Sequence, residues 1–189
     1  MMEKVEDKKK IDNARLKYKP ESVKTLLVAE APPDSLERFF YYENVRERDY
    51  LFLGVTEALY PNMKDEFIAS GRTPEKKAVI LNNFKNDGYY LIDLSDTPIS
   101  LLNSVAVETF VPSLIEKVKK IADNNTNIIL IKANVYDSAY DELLKLGYRV
   151  VNIRIPFPSS GQQTNFQRTF KQALTLTKKS KNTGQINQQ

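Results

Sequence analysis

The apolar positions of this chain fall into short continuous runs that are separated by longer stretches with helical spacing. The runs predict four strands, at residues 23–28, 89–94, 127–132 and 149–155. Continuous apolar runs of this length are typical of strands that are buried on both faces of a parallel sheet. We therefore expect a central sheet that is covered on both sides.

The stretches between the runs repeat apolar residues at intervals of three and four, which predicts amphipathic helices. Their inward positions are Leu51, Val55, Ala58 and Leu59; Ile80, Leu81 and Phe84; Val111, Leu114, Ile115, Val118, Ile121 and Ala122; Tyr140, Leu143 and Leu144; and Phe166, Phe170, Ala173 and Leu174. Tyr60-Pro61 is expected to end the first of these helices, and Pro74 to begin the second. Strands that alternate with helices predict a three-layer α/β/α fold with a four-stranded parallel sheet. Right-handed crossovers then favour the strand order 2-1-3-4.

A length of 189 residues fits one domain. Composition divides the chain into a polar basic arm at residues 1–20, a single α/β domain at 21–177 and a flexible polar tail at 178–189. The arm is expected to begin as a frayed helix and to end as an extended lead-in to the first strand. Its lysines either keep the chain in solution or contact the phosphates of a nucleic acid.

The composition says more about which chemical groups are available for catalysis than about the fold. Hydrophobic residues make up 41% and charged residues 28% of the chain, and no apolar run approaches the ~20 residues that span a bilayer. These values predict a cytoplasmic monomer that does not enter a membrane. The absence of cysteine excludes disulfides, thiolate catalysis and cysteine-bound metal clusters, and the absence of histidine excludes imidazole catalysis. Carboxylates, lysine, tyrosine and hydroxyl groups remain, and the net charge of +4 weakly favours a polyanionic partner.

Polar residues follow the predicted strands where a parallel α/β sheet binds its ligands, at the carboxyl edge. Glu30, Asp93, Lys132 with Asn134, and the loop at 156–163 occupy these positions. They bring acid, amine, amide and hydroxyl groups to one edge, although Glu30 alone would also fit a solvated charge at a strand end. The four adjacent aromatic residues at 39–42 cannot all face one core, so some of them are expected near this edge.

The order of these elements and two of the loops resemble the uracil-DNA glycosylase superfamily. The first motif of that family follows the first strand and reads G-E-A-P-G or G-[IQ]-[ND]-P in different branches; here the loop is Ala29-Glu30-Ala31-Pro32-Pro33. The second motif reads H-P-S-P or, in the thymine-DNA glycosylase branch, M-P-S-S-S. Phe157-Pro158-Ser159-Ser160-Gly161 is most similar to the last form. The strand L-I-D that ends at Asp93 lies where many members carry L-x-N, and the resemblance covers about residues 23–174.

The resemblance implies a DNA glycosylase that flips a damaged or deaminated base out of the duplex and hydrolyses its N-glycosidic bond. We expect no cofactor or metal, because the iron–sulfur cluster usual in the G-E-A-P-G branch needs cysteines that this chain lacks. Glu30 would position or activate water at the sugar C1′. Phe39 or Phe40 would stack on the base, and Asp93 would contact its edge. The implied DNA contacts are Ser159, Ser160, Gly161 and Gln162. Closeness to that loop adds Arg168 and Lys171 as candidate phosphate contacts. For Phe39 and Phe40 the alternative is a place in the core, and for Ser159 and Ser160 a helix cap.

The sequence also departs from the family pattern at several positions. Ala31 stands where several branches carry a catalytic Asp or Asn, and Phe157 replaces the histidine that polarises the leaving base. An ionised Asp93 offers only acceptors, whereas uracil presents an acceptor and a donor. Three classes therefore stay open: a DNA glycosylase, a non-catalytic nucleic-acid or nucleotide-binding protein with the same fold, and an unrelated α/β protein.

Overall fold

The computed structural model describes residues 2–45, 49–101, 105–159 and 161–183. Within these ranges four strands form one parallel sheet in the order β2-β1-β3-β4, which confirms the predicted fold. The strands are β1 (Thr25–Ala29), β2 (Tyr89–Asp93), β3 (Asn127–Leu130) and β4 (Arg149–Val150). β1 and β3 are buried at every position, as expected for the two central strands.

Seven α-helices flank the sheet in the described ranges. They are α1 (Met2–Lys17), α2 (Tyr50–Leu59), α3 (Pro61–Ala69), α4 (Pro74–Asn86), α5 (Val111–Ile121), α6 (Ala133–Lys145) and α7 (Gln163–Thr183). Local signals explain several of their ends. The carboxylate of Asp49 accepts a hydrogen bond from the backbone N–H of Phe52 and so caps α2. Pro61 and Pro74 begin α3 and α4, where the missing N–H costs nothing.

The structure differs from the sequence-based expectation at both ends of the chain. Residues 1–20 were expected to be a polar arm that begins as a frayed helix and ends extended; α1 occupies most of this segment, and the end of the segment packs on the domain. Tyr18 is buried and its ring stacks on that of Tyr41. At the other end α7 continues through Thr183, so the helix enters the segment that was assigned to a tail from residue 178.

Two internal elements also differ. The fourth strand is shorter than the predicted 149–155, because the N–H of Ile153 donates to the carbonyl of Val151 and closes a tight turn; a single bridge between Ile131 and Ile155 resumes the pairing. α3 was not predicted, since Pro61 was interpreted as a stop rather than as the first residue of a new helix.

Among the described residues, no helix has the length and apolar character needed to cross a membrane.

Candidate functional site

A cavity of about 270 Å³ opens at the carboxyl edge of the sheet. It is lined by Ala29, Glu30, Ala31, Pro33, Arg38, Phe39, Phe40, Asp49, Tyr50, Leu51, Leu91, Asp93, Lys132 and Phe157. The register of the sheet explains why Glu30 and Asp93 meet here, because Ala29 pairs with Asp93 at the ends of β1 and β2. Beyond the strands, the N–H of Ser95 donates to the carbonyl of Glu30 (2.9 Å) and fixes the loop that carries the carboxylate.

Glu30 is held by two side chains from the segment after β3. The ammonium of Lys132 and the amide nitrogen of Asn134 each donate to one of its carboxylate oxygens. The side chain of Glu30 is 15% exposed and that of Lys132 is 38% exposed, so the group lies at the edge of the cavity rather than in the core. The sequence placed all three residues at this edge, and the structure brings them into one hydrogen-bonded cluster.

The backbone of Lys132 has an unusual conformation, with φ 86° and ψ 136°. This region is populated almost only by glycine, and a residue with a side chain is strained there by about 1–3 kcal/mol. Its peptide groups are held on both sides: the N–H of Lys132 donates to Ile155 (3.0 Å), and its carbonyl accepts from Tyr136 (3.1 Å) as α6 begins. The surrounding structure therefore imposes a conformation that aims the Lys132 side chain toward Glu30.

Asp93 is buried beneath the cavity and forms an ion pair with Arg15 of α1, with 2.6 Å between Oδ2 and the guanidinium. Burial raises the pKa of the Asp93 carboxyl, and the positive charges of Arg15 and Lys117 oppose that rise. The guanidinium of Arg15 also lies 5.6 Å from the centre of the Phe39 ring. A residue of the supposed arm is thus part of the wall behind the site.

The aromatic residues after β1 lie in the core, which for Phe39 and Phe40 was one of the two alternatives. Phe39, Phe40 and Tyr41 are only 1%, 4% and 1% exposed, so three of four adjacent rings do share one core. The short 3-10 turn at Leu36–Arg38 and the loop that follows let successive rings point in different directions within one cluster, and Phe40 meets Tyr41 edge-on. Phe39 and Phe40 still reach the cavity wall, where Phe157 also lies.

A second charged pair lies behind the cavity. Lys77 of α4 is 0% exposed and donates to the carboxylate of Asp49 (3.0 Å) and to the carbonyl of Phe39. Burial lowers the pKa of Lys77 and raises that of Asp49, while the attraction between the two opposes both shifts. Because Lys77 donates to Asp49 and to the Phe39 carbonyl, it ties the start of α2 to the aromatic segment.

The predicted DNA contacts lie outside the cavity. Ser159, Gly161 and Gln162 are exposed, and the carbonyl of Ser159 accepts from the N–H of Gln162 in the turn before α7; Ser160 lies outside the described residues. Arg168 and Lys171 are exposed on α7. A groove between α2 and the start of α7 is lined by Tyr50, Leu53, Gly54, Glu57, Pro158, Gln163, Thr164 and Gln167, and it shares Tyr50 with the cavity.

The functional arrangement contains residues that sequence reasoning missed. Arg15 was assigned to an arm, and no local pattern signals that it pairs with a residue 78 positions away. Asp49 and Lys77 look like ordinary surface charges in the sequence. In the part of the chain that the structure describes, no group of three or more acidic residues is placed to hold a metal ion.

Comparisons with known proteins add no relative: no family model, no curated protein and no solved structure matches this chain.

Proposed function

We propose that this protein binds DNA and hydrolyses the N-glycosidic bond of a damaged or deaminated base. The observation that carries the proposal is the orientation of Glu30, which Lys132 and Asn134 hold at the wall of a cavity with aromatic sides. The two short motifs at Glu30 and Ser159, described above, favour the same activity.

The chemistry requires a fixed negative charge more than a strong base. As the bond to the base breaks, positive charge develops on the sugar around C1′, and a preorganised carboxylate in a partly dry site stabilises that charge. Glu30 meets this description, because its carboxylate is largely buried and cannot rotate freely while Asn134 and Lys132 bind it. The same oxygens can accept a hydrogen bond from an attacking water molecule.

Recognition of the base would fall to the back of the cavity. Oδ2 of Asp93 is engaged by Arg15, so contact with a base edge would use Oδ1, an acceptor when the carboxyl is ionised. This favours a base that presents an N–H at that point. Phe39 and Phe40 would supply apolar contact at the wall rather than a fully exposed stacking face, since both rings are nearly buried.

Base release from duplexes that contain uracil, hypoxanthine, xanthine or mismatched thymine tests the proposal. We expect release from at least one duplex, with Glu30→Gln lowering the single-turnover rate by about a hundredfold or more and leaving duplex affinity nearly unchanged. Glu142→Gln is the matched control, because Glu142 is an exposed glutamate that also pairs with a lysine, on α6. Equal rates for the wild type and Glu30→Gln would remove Glu30 from the reaction.

A second candidate is binding of nucleic acid or nucleotides without hydrolysis. It is favoured by the fact that the three carboxylates that line the cavity already have cationic partners: Lys132 for Glu30, Lys77 for Asp49 and Arg15 for Asp93. Salt-dependent duplex binding with no release from any duplex of the panel would select this candidate over the first.

A further inference from the structure

Lys132 keeps its side chain where glycine would fit the backbone better. Among the described residues, four other positions have φ between 74° and 85°, and all four are glycine, at residues 71, 88, 147 and 161. The other described residue with a side chain and a positive φ is Arg72, which directly follows Gly71 in a turn. Strained backbone conformations cluster at functional sites. They persist only where the surrounding contacts hold the backbone in place. The strain at Lys132 therefore directs attention to what its amine does.

The amine of Lys132 lies at the cavity wall beside a group that can accept its proton. Lys132 lines the cavity, and its Nζ donates to the carboxylate of Glu30, which can accept a proton from it. Asn134 binds the other oxygen of the same carboxylate and keeps it in place. The amine is also reachable, since more than a third of the Lys132 side chain is exposed.

Resting on the proposed function, we propose that Lys132 attacks C1′ of the sugar left after base release and gives the protein a second activity, cleavage of DNA at abasic sites. The substrate class is an abasic deoxyribose in its ring-opened aldehyde form. Lysine amines form Schiff bases with carbonyl carbons of this kind.

The atoms balance without an oxidant, a reductant or a further reactant. Glu30 takes one proton from the ammonium, and the neutral amine forms a C–N bond to C1′ as the C=O π bond breaks. The oxygen receives one proton from the attacking nitrogen and the other from Glu30 and leaves as water, so Glu30 is a carboxylate again. The resulting iminium withdraws electrons from C2′, whose proton passes to the Glu30 carboxylate. The C3′–O bond then breaks, and the phosphate on the 3′ side leaves with the bonding electron pair.

Borohydride trapping on a duplex with a preformed abasic site tests this step directly, since hydride reduces the iminium to a stable amine that joins protein to DNA. We expect wild-type protein to form the covalent product, with peptide mapping placing it on Lys132. Lys132→Arg keeps the positive charge but has no comparable nucleophile, so trapping should fall at least tenfold. Lys145→Arg is the control, because Lys145 is an exposed lysine that also pairs with a glutamate, and trapping should be unchanged.

The duplex already lacks a base, so the result does not depend on whether the protein releases one. Trapping at Lys132 without release from any duplex of the panel supports the amine chemistry and contradicts the proposed glycosylase step. Release of a base without trapping supports the proposed glycosylase step and contradicts the amine chemistry of Lys132. Mapping of the wild-type product to another lysine, or equal trapping by Lys132→Arg, would overturn the assignment. Mapping uses only wild-type protein, so the test holds even if a variant fails to fold.

Discussion

At the scale of single residues, the clearest conflict between local preference and tertiary structure is at Lys132. Its φ and ψ values belong to a region where a Cβ atom is crowded and glycine is not. The strain at Lys132 has a testable consequence for the free energy of unfolding that does not depend on catalysis.

We expect Lys132→Gly to be more stable than Lys132→Ala by about 1–2 kcal/mol, because both remove the amine but only glycine removes the backbone strain. This order is the opposite of the usual one, since glycine is normally the less stable of the two in folded segments. Denaturant unfolding of both variants at neutral pH provides the comparison. If Lys132→Ala equals or exceeds Lys132→Gly in stability, the strain at this position is no larger than the entropic cost of glycine, about 0.5–1 kcal/mol, and the prediction fails.

The residues of the site were predictable to different degrees. Glu30, Asp93, Lys132 and Asn134 were expected at one edge because parallel strands end together, and the sheet does bring them there. The strain at Lys132 could not be foreseen, because the sequence there shows no glycine or turn signal. The pairing of Arg15 with Asp93 depends on where α1 lies, which no pattern in its polar sequence defines. The roles assigned to these side chains stay predictions.

At the scale of elements, the helices and strands followed from the sequence where their pattern was periodic. α5 was expected from its apolar stripe and is present over Val111–Ile121. The shorter β4 could not be predicted, because an edge strand needs backbone pairing on one side only and can turn away early. The burial of Phe39 and Phe40 was one of two alternatives that the sequence left open, and that of Tyr41 was not predicted, since it depends on a loop geometry rather than on a helix or strand period.

The contact between α2 and α7 depends on a residue without a side chain. A Cβ at Gly54 would lie 2.9 Å from Cε1 of Phe166 and 3.1 Å from Cβ of Pro158, and the Phe166 ring is fully buried and stacked on Phe170. Gly54 therefore lets α2 approach both α7 and the loop that carries the candidate DNA contacts.

We expect Gly54→Ala to lower the free energy of unfolding by about 1–3 kcal/mol, the usual cost of an added methyl group in a packed interior. Helix propensity alone predicts the opposite, a gain of about 1 kcal/mol. Thermal or denaturant unfolding decides between the two, and in a Phe166→Leu background the penalty should shrink, because the smaller side chain can move aside. A stabilised Gly54→Ala protein would show that the ring gives way easily.

At the scale of the whole molecule, the direction of the helices separates cations near the site from cations far from it. α7 follows β4, so its first turns start at the carboxyl edge of the sheet, where the cavity lies. α5 and α6 each cross antiparallel to the strands, so their last turns lie at the amino edge. Arg168 and Lys171 occupy the first half of α7, whereas Lys119 and Lys145 are in the last turns of α5 and α6.

This asymmetry predicts how duplex binding depends on salt. Each phosphate contact releases counterions, so loss of one contact flattens the slope of log affinity against log salt by about 1. We expect the double variant Arg168→Gln with Lys171→Gln to weaken binding of any duplex sequence and to flatten the slope by about 2. The pair Lys119→Gln with Lys145→Gln removes the same total charge at the opposite edge and should leave the slope close to that of the wild type. A titration of each protein at several salt concentrations separates a local contact from a net-charge effect, because only a local contact distinguishes the two pairs. Identical slopes for both pairs would mean that Arg168 and Lys171 are simply solvated and that DNA, if it binds, approaches another face.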